Sequence, residues 1–111
     1  MSDVLDQLAS TLQQRRGADP DTSYVASLHH KGLNKILEKI GEEATEVILA
    51  AKDLKDGEGR AELVGEVADL WFHSMVMLSH LEVDINEVTE CLRARFGTSG
   101  IEEKAARRSG P

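Results

Sequence analysis

Apolar residues recur along most of this chain in steps of three and four, the spacing at which an α-helix returns to the same face. Val4, Leu5, Leu8 and Leu12 set that rhythm over residues 2–16, with Ser2 available as a cap and Asp3 in the first turn. The stretch "RRGADPDTS" interrupts it with Gly17, Pro20 and two aspartates, a turn or loop composition, and residues 23–31 predict a short helix. Leu33, Ile36, Leu37, Ile40, Ala44, Val47, Ile48, Ala51 and Leu54 then keep helical period, predicting the longest element over 33–55, stopped by "KDGEG". A further helix is expected over about 60–81. There Leu63, Val64, Val67, Leu70, Trp71, Met75, Val76 and Leu78 cover an arc wider than one neighbour needs. Asp84 followed by Glu87 has the form of a capping box, opening a last helix that closes at Gly97. Residues 97–111 read as a polar tail.

The pattern predicts an all-α fold: one domain over residues 1–111, built as a bundle of four to five helices. Composition agrees, with 41% hydrophobic and 30% charged residues and only two prolines. A chain of this length buries roughly two-thirds of its unfolded surface, so a small core is feasible. The net charge of −7 argues against a nucleic-acid groove, which needs surplus Lys and Arg. Cys91 stands alone and forms no intramolecular disulfide, which points to a reducing compartment. The N-terminus has no apolar signal core, and "LWFHSMVML" is too short to span a bilayer. The expected setting is cytoplasmic.

Charge becomes informative at "KIGEEATEVILAAK", where Glu42, Glu43 and Glu46 crowd little more than one helical turn. Like charges three or four apart on a helix cost a few tenths of a kcal/mol each. Water and salt absorb that cost on an exposed face; a bound cation with several oxygen ligands absorbs it otherwise. The next long helix carries Glu62, Glu66, Asp69 and His73 at steps of four, three and four, a polar stripe through an apolar segment. Nineteen residues separate Glu46 from Glu66, a length that suits an antiparallel helical hairpin. Such a hairpin sets Glu43 and Glu46 against Glu66 and Asp69. Four unpaired carboxylates across a seam repel one another, and a hard divalent cation resolves the conflict. Magnesium fits, because it takes oxygen ligands and recruits phosphate oxygens. Di-iron bundles use Glu-x-x-His pairs and zinc hydrolases use H-x-x-x-H or Cys clusters, and the sequence contains neither.

The signature "GEEATE", nineteen residues, then "EVAD" resembles the E-E-x-x-E and E-x-x-D motif of the all-α nucleoside triphosphate pyrophosphohydrolases. Three flanking segments, "SYVASLHHKGLNKILEKIGEEATEV", "EVADLWFHSMVML" and "RFGTSGIEEKAARR", narrow the resemblance to the phosphoribosyl-ATP pyrophosphohydrolases, over about residues 3–108. The resemblance implies magnesium-dependent hydrolysis of phosphoribosyl-ATP to phosphoribosyl-AMP and pyrophosphate, the second step of histidine biosynthesis, in a homodimeric helical bundle. It implies Glu43, Glu46, Glu66 and Asp69 as metal ligands, with Glu42 an extra catalytic carboxylate. Glu42 and Glu46 are the candidates for taking a proton from water.

Other residues have a plain and a functional reading. Lys35 and Lys39, with Lys31 less directly, are either solvated partners of nearby glutamates or phosphate contacts beside the metal. His73 is either a satisfied core histidine or a substrate contact. Trp71 and Phe72 are expected in core or dimer packing. Arg95 either complements a helix dipole or binds substrate. The tail residues Ser99, Gly100, Glu103, Lys104 and Arg107 lack a core period, and the resemblance makes Lys104 and Arg107 substrate-binding candidates. The rival readings are a relative with another triphosphate substrate and a non-catalytic helical dimerisation module.

Overall fold

The computed structural model describes residues 2–96, and all regular structure among them is helical: α1 (Ser2–Arg15), α2 (Tyr24–Lys31), α3 (Leu33–Lys52), α4 (Arg60–His80) and α5 (Ile85–Ala94). The predicted elements are all present. α3 stops at Lys52, short of the expected 55, and α5 ends at Ala94; Gly97 and the tail lie outside the described residues.

Local chemistry explains the boundaries. The Ser23 side chain accepts from the Ala26 amide at 3.2 Å and opens α2. Gly32, at φ 98°, supplies the bend between α2 and α3 that an L side chain resists. Asp84 and Glu87 form the expected capping box, with Asp84 Oδ1 accepting from the Asn86 amide at 2.8 Å and Glu87 Oε2 from the Asp84 amide at 3.2 Å. At the end of α4 the Arg16 guanidinium donates to the Ser79 carbonyl at 2.8 Å and the His80 carbonyl at 3.3 Å, satisfying groups that the helix leaves open. His29 on α2 and His80 share a proton between their Nδ1 atoms, 2.9 Å apart. Burial holds the His29 pKa below its ordinary value, with Arg16 and His80 adding to the effect.

α3 and α4 pack as an antiparallel hairpin: Glu46 lies by Glu66, and three residues earlier on α3 Glu43 lies by His73, seven residues later on α4. The core occupies one end of this hairpin. Leu12, Val25, Leu28, Ile36, Met75 and Val76 are buried together, and Phe72 and Ile40 pack against them. α1 and α2 cover that end, and α5 lies against α1. The other end is bare. No residue of α4 before His73 is buried, and beyond Glu43 only Ala50 of α3 is. Ile48 and Val64 hold helical period yet are 58% and 62% exposed, and Trp71, expected in core or dimer packing, is 58% exposed in the single chain. Phe72 does pack on the core. Helical periodicity reports the apolar face, and whether that face meets its own chain depends on where the short helices end.

Candidate active site

The hairpin brings together three of the four carboxylates that the two acidic pairs were expected to set against one another. Carboxylate oxygens of Glu43, Glu46 and Glu66 all lie within 4.8 Å of one another. Glu43 is only 6% exposed, Glu66 is partly covered, and Glu46 faces outward. The register causes this: an i, i+3 pair on α3 opposes an i, i+3 pair on α4, and each pair spans less than one turn of one face. Asp69, an exposed residue, stands close enough to act on both Glu43 and Glu66 electrostatically, although its oxygens lie outside the converging trio. Glu62, the outer end of the stripe, is exposed.

The electrostatics are those of an uncompensated site. Burial raises the Glu43 pKa above the usual carboxylate range, and Glu46 and Asp69 raise it further. Glu66 is pushed up to about 7, first by the proton it shares with Glu46, then by desolvation and the neighbouring acids. Glu43 Oε2 and Glu66 Oε2 are buried without a hydrogen-bond partner. Buried carboxylate oxygens ordinarily find donors. An all-oxygen set of this kind suits a hard divalent cation and does not suit a soft metal.

The basic candidates stand beside the acids on α3. Lys39 Nζ meets Glu42 Oε2 at 3.1 Å, a contact that raises the lysine pKa, and Lys35 Nζ meets Glu38 Oε2 at 3.6 Å. Lys39 thus pairs with the exposed Glu42 and not with Glu43, one turn on. Lys31 is exposed at the end of α2. Arg95 caps the end of α5, its guanidinium donating to Cys91 Sγ at 3.5 Å. Ser99, Gly100, Glu103, Lys104 and Arg107 lie outside the described residues.

His73 is 5% exposed. Its Nδ1–H donates to the Asp69 carbonyl at 2.9 Å, and its Nε2 accepts from the Tyr24 hydroxyl at 2.8 Å. Both ring nitrogens are thus occupied, while Nδ1 lies 4.0 Å from Glu43 Oε1. Tyr24 is the residue that the sequence did not single out. No periodicity connects position 24 with position 73.

The family model described as phosphoribosyl-ATP pyrophosphohydrolase matches residues 5–96. This chain belongs to that family. It is also 57% identical over 106 residues to a Burkholderia cenocepacia (strain HI2424) protein named phosphoribosyl-ATP pyrophosphatase, an alignment covering 96% of this chain and 88% of that protein. The family match includes all five candidate carboxylates, Glu42, Glu43, Glu46, Glu66 and Asp69. Two concavities, of about 430 and 310 Å³, lie at the far end of α4 around Arg16, Ser79 and His80, and none of these acids lines them. Among the described residues the carboxylate cluster is an open acidic seam.

The raised Glu66 pKa makes a stability prediction. Between about 7 and the ordinary value of 4.5 the folded state binds a proton that the unfolded state does not, so this group favours folding as pH falls and opposes it above 7. In chelator-treated protein, Glu66→Gln is expected to raise the thermal midpoint by a few degrees at pH 8, with the gain over wild type shrinking steadily toward pH 5. Thermal melts of both proteins across that range check it; a gain independent of pH contradicts it.

Proposed function

We propose that this protein hydrolyses phosphoribosyl-ATP to phosphoribosyl-AMP and pyrophosphate with magnesium, the second step of histidine biosynthesis, in the cytoplasm. The observation that carries the reading is the pair of buried, partnerless oxygens on Glu43 and Glu66 at the centre of a carboxylate cluster, in a chain of this family. Glu43, Glu46 and Glu66 would hold the cation, with Asp69 completing the set from the exposed edge. Bound there, a divalent cation supplies neutralisation of the charge that grows on the departing pyrophosphate and makes water more acidic.

The chain's own groups divide the remaining work. Glu46 faces outward at the edge of the cluster, where it can accept a proton from water. Glu42 is tied to Lys39, which makes Glu46 the better base of the two. Lys39 keeps its charge, since its contact with Glu42 raises its pKa, and stands on the same helix one turn before Glu43, where phosphate oxygens would need a counter-charge. Lys35 adds charge a further turn back. Arg95, Lys104 and Arg107 remain the candidates for the outer parts of the substrate.

The bare half of the hairpin is best explained by a second copy of this chain. Ile48, Leu49, Val64 and Trp71 present apolar surface beside the acidic seam. A homodimer formed there would cover that surface and wall the open site.

Three outcomes are expected. Pyrophosphate release from phosphoribosyl-ATP should be magnesium-dependent and at least tenfold faster than from ATP or dCTP, and Glu43→Gln should reduce it by two orders of magnitude or more with helicity unchanged, as measured by circular dichroism. Equal release from a simple triphosphate would overturn the substrate, and near-normal activity of Glu43→Gln would overturn the metal centre. Sedimentation should show a dimer that Ile48→Asp converts to a folded monomer; a wild-type monomer contradicts the interface.

A further inference from the structure

The Nδ1 edge of the buried His73 ring lies 4.0 Å from Oε1 of the buried Glu43 carboxylate. How that ring is held is therefore a property of the acidic centre. A backbone carbonyl can only accept, so the 2.9 Å contact with the Asp69 oxygen places a proton on Nδ1. In the neutral ring Nε2 is then an acceptor, and the Tyr24 hydroxyl, 2.8 Å away, is its donor.

Two aromatic contacts reinforce the arrangement. Phe72 meets the imidazole edge-on at 5.1 Å and 88°, and Tyr24 meets it at 5.9 Å and 90°. Tyr24 in turn lies nearly parallel to Phe72 at 6.2 Å. These contacts fix the plane of the imidazole but do not distinguish its two flipped orientations, because the ring outline is nearly the same in both. Hydrogen bonds distinguish them. A half-turn of the ring would bring a carbon to the Asp69 carbonyl and to Glu43, and would turn another carbon to the Tyr24 hydroxyl.

We propose that Tyr24 is a positioning residue of the acidic centre: by donating to His73 Nε2 it locks the imidazole with its Nδ1–H edge toward Glu43, and so holds that buried carboxylate with Oε2 free for a divalent cation. The proposal rests on the reading that the cluster holds such a cation. Tyr24 touches neither the cation nor the reacting phosphate. It is the far end of a line from α2 through α4 to α3, the arrangement by which outer hydrogen bonds orient metal-binding side chains.

The test uses Mn²⁺ as a spectroscopic probe on the full-length, substrate-free protein. Tyr24→Phe keeps the ring stacked on Phe72 and removes only the donor. It should weaken Mn²⁺ binding, measured by electron paramagnetic resonance, by about tenfold, within the range such outer partners typically command. The same substitution in a His73→Asn background should cost nothing further, because the line is already cut. Unchanged Mn²⁺ affinity in Tyr24→Phe, or an equal loss in both backgrounds, would overturn the proposal. Should His73→Asn not fold, the ¹⁵N resonances of the His73 ring decide. A shifted Nε2 together with weakened Mn²⁺ binding supports the line, and an unshifted ring overturns it. Wild-type protein that binds no Mn²⁺ would instead remove the cation reading itself, a result distinct from loss of the effect in Tyr24→Phe.

Discussion

The convergence of three carboxylates on one seam, with Glu43 largely withdrawn from water, is the constraint around which this structure is arranged. Ionised together in a region of reduced dielectric, these groups drive the hairpin apart. The hairpin persists because its other end is clamped. Ile36, Met75 and Val76 bury against Leu12, Val25 and Leu28, which fixes the spacing of α3 and α4 about two to three turns from the acids. The repulsion is also reduced from within. Protons remain on the cluster near neutral pH, as the elevated Glu66 pKa of about 7 shows. A cation that displaces those protons would satisfy the same oxygens that the fold leaves bare.

This division of labour makes the molecule asymmetric. α1 and α2 cover one end of the hairpin, while among the described residues the end that carries the carboxylates and the apolar side chains of Ile48 and Val64 stays open. The hydrophobic core and the acidic cluster are thus separated along the hairpin's long axis, and His73 stands where they meet. It is part of the buried interior and at the same time lies 4.0 Å from the Glu43 carboxylate. α2 connects the two regions with separate histidine contacts, Tyr24 to His73 near the acids and His29 to His80 near the end of α4.

Most of this was legible in the sequence, for identifiable reasons. Helix positions follow from apolar period and from local caps, such as the Asp84 and Glu87 box, that need no distant partner. The acidic site was legible because two i, i+3 pairs joined by a hairpin-length segment have one simple way to face each other. What local pattern does not encode is which apolar face meets its own chain. Ile48, Val64 and Trp71 keep the same period as buried residues, and only the placement of α1 and α2 shows that no described helix covers them. Tyr24 escaped for a related reason: its role depends on a contact across 49 positions, which helical spacing cannot reveal. Lys39 illustrates a finer limit, since Glu42 and Glu43 both lie within a turn and a small rotation of the side chain decides between them.

The central claim is that the protons on this cluster occupy the place of a divalent cation, and calorimetry tests it most directly. Magnesium titrated into the protein at pH 7, in buffers of different ionisation enthalpy, reports the protons released per ion bound. With Glu66 half-protonated at that pH, about half a proton should leave with each binding event, and the release should largely disappear in Glu66→Gln. Magnesium binding with no proton release in the wild type, or no binding at all, would contradict the account.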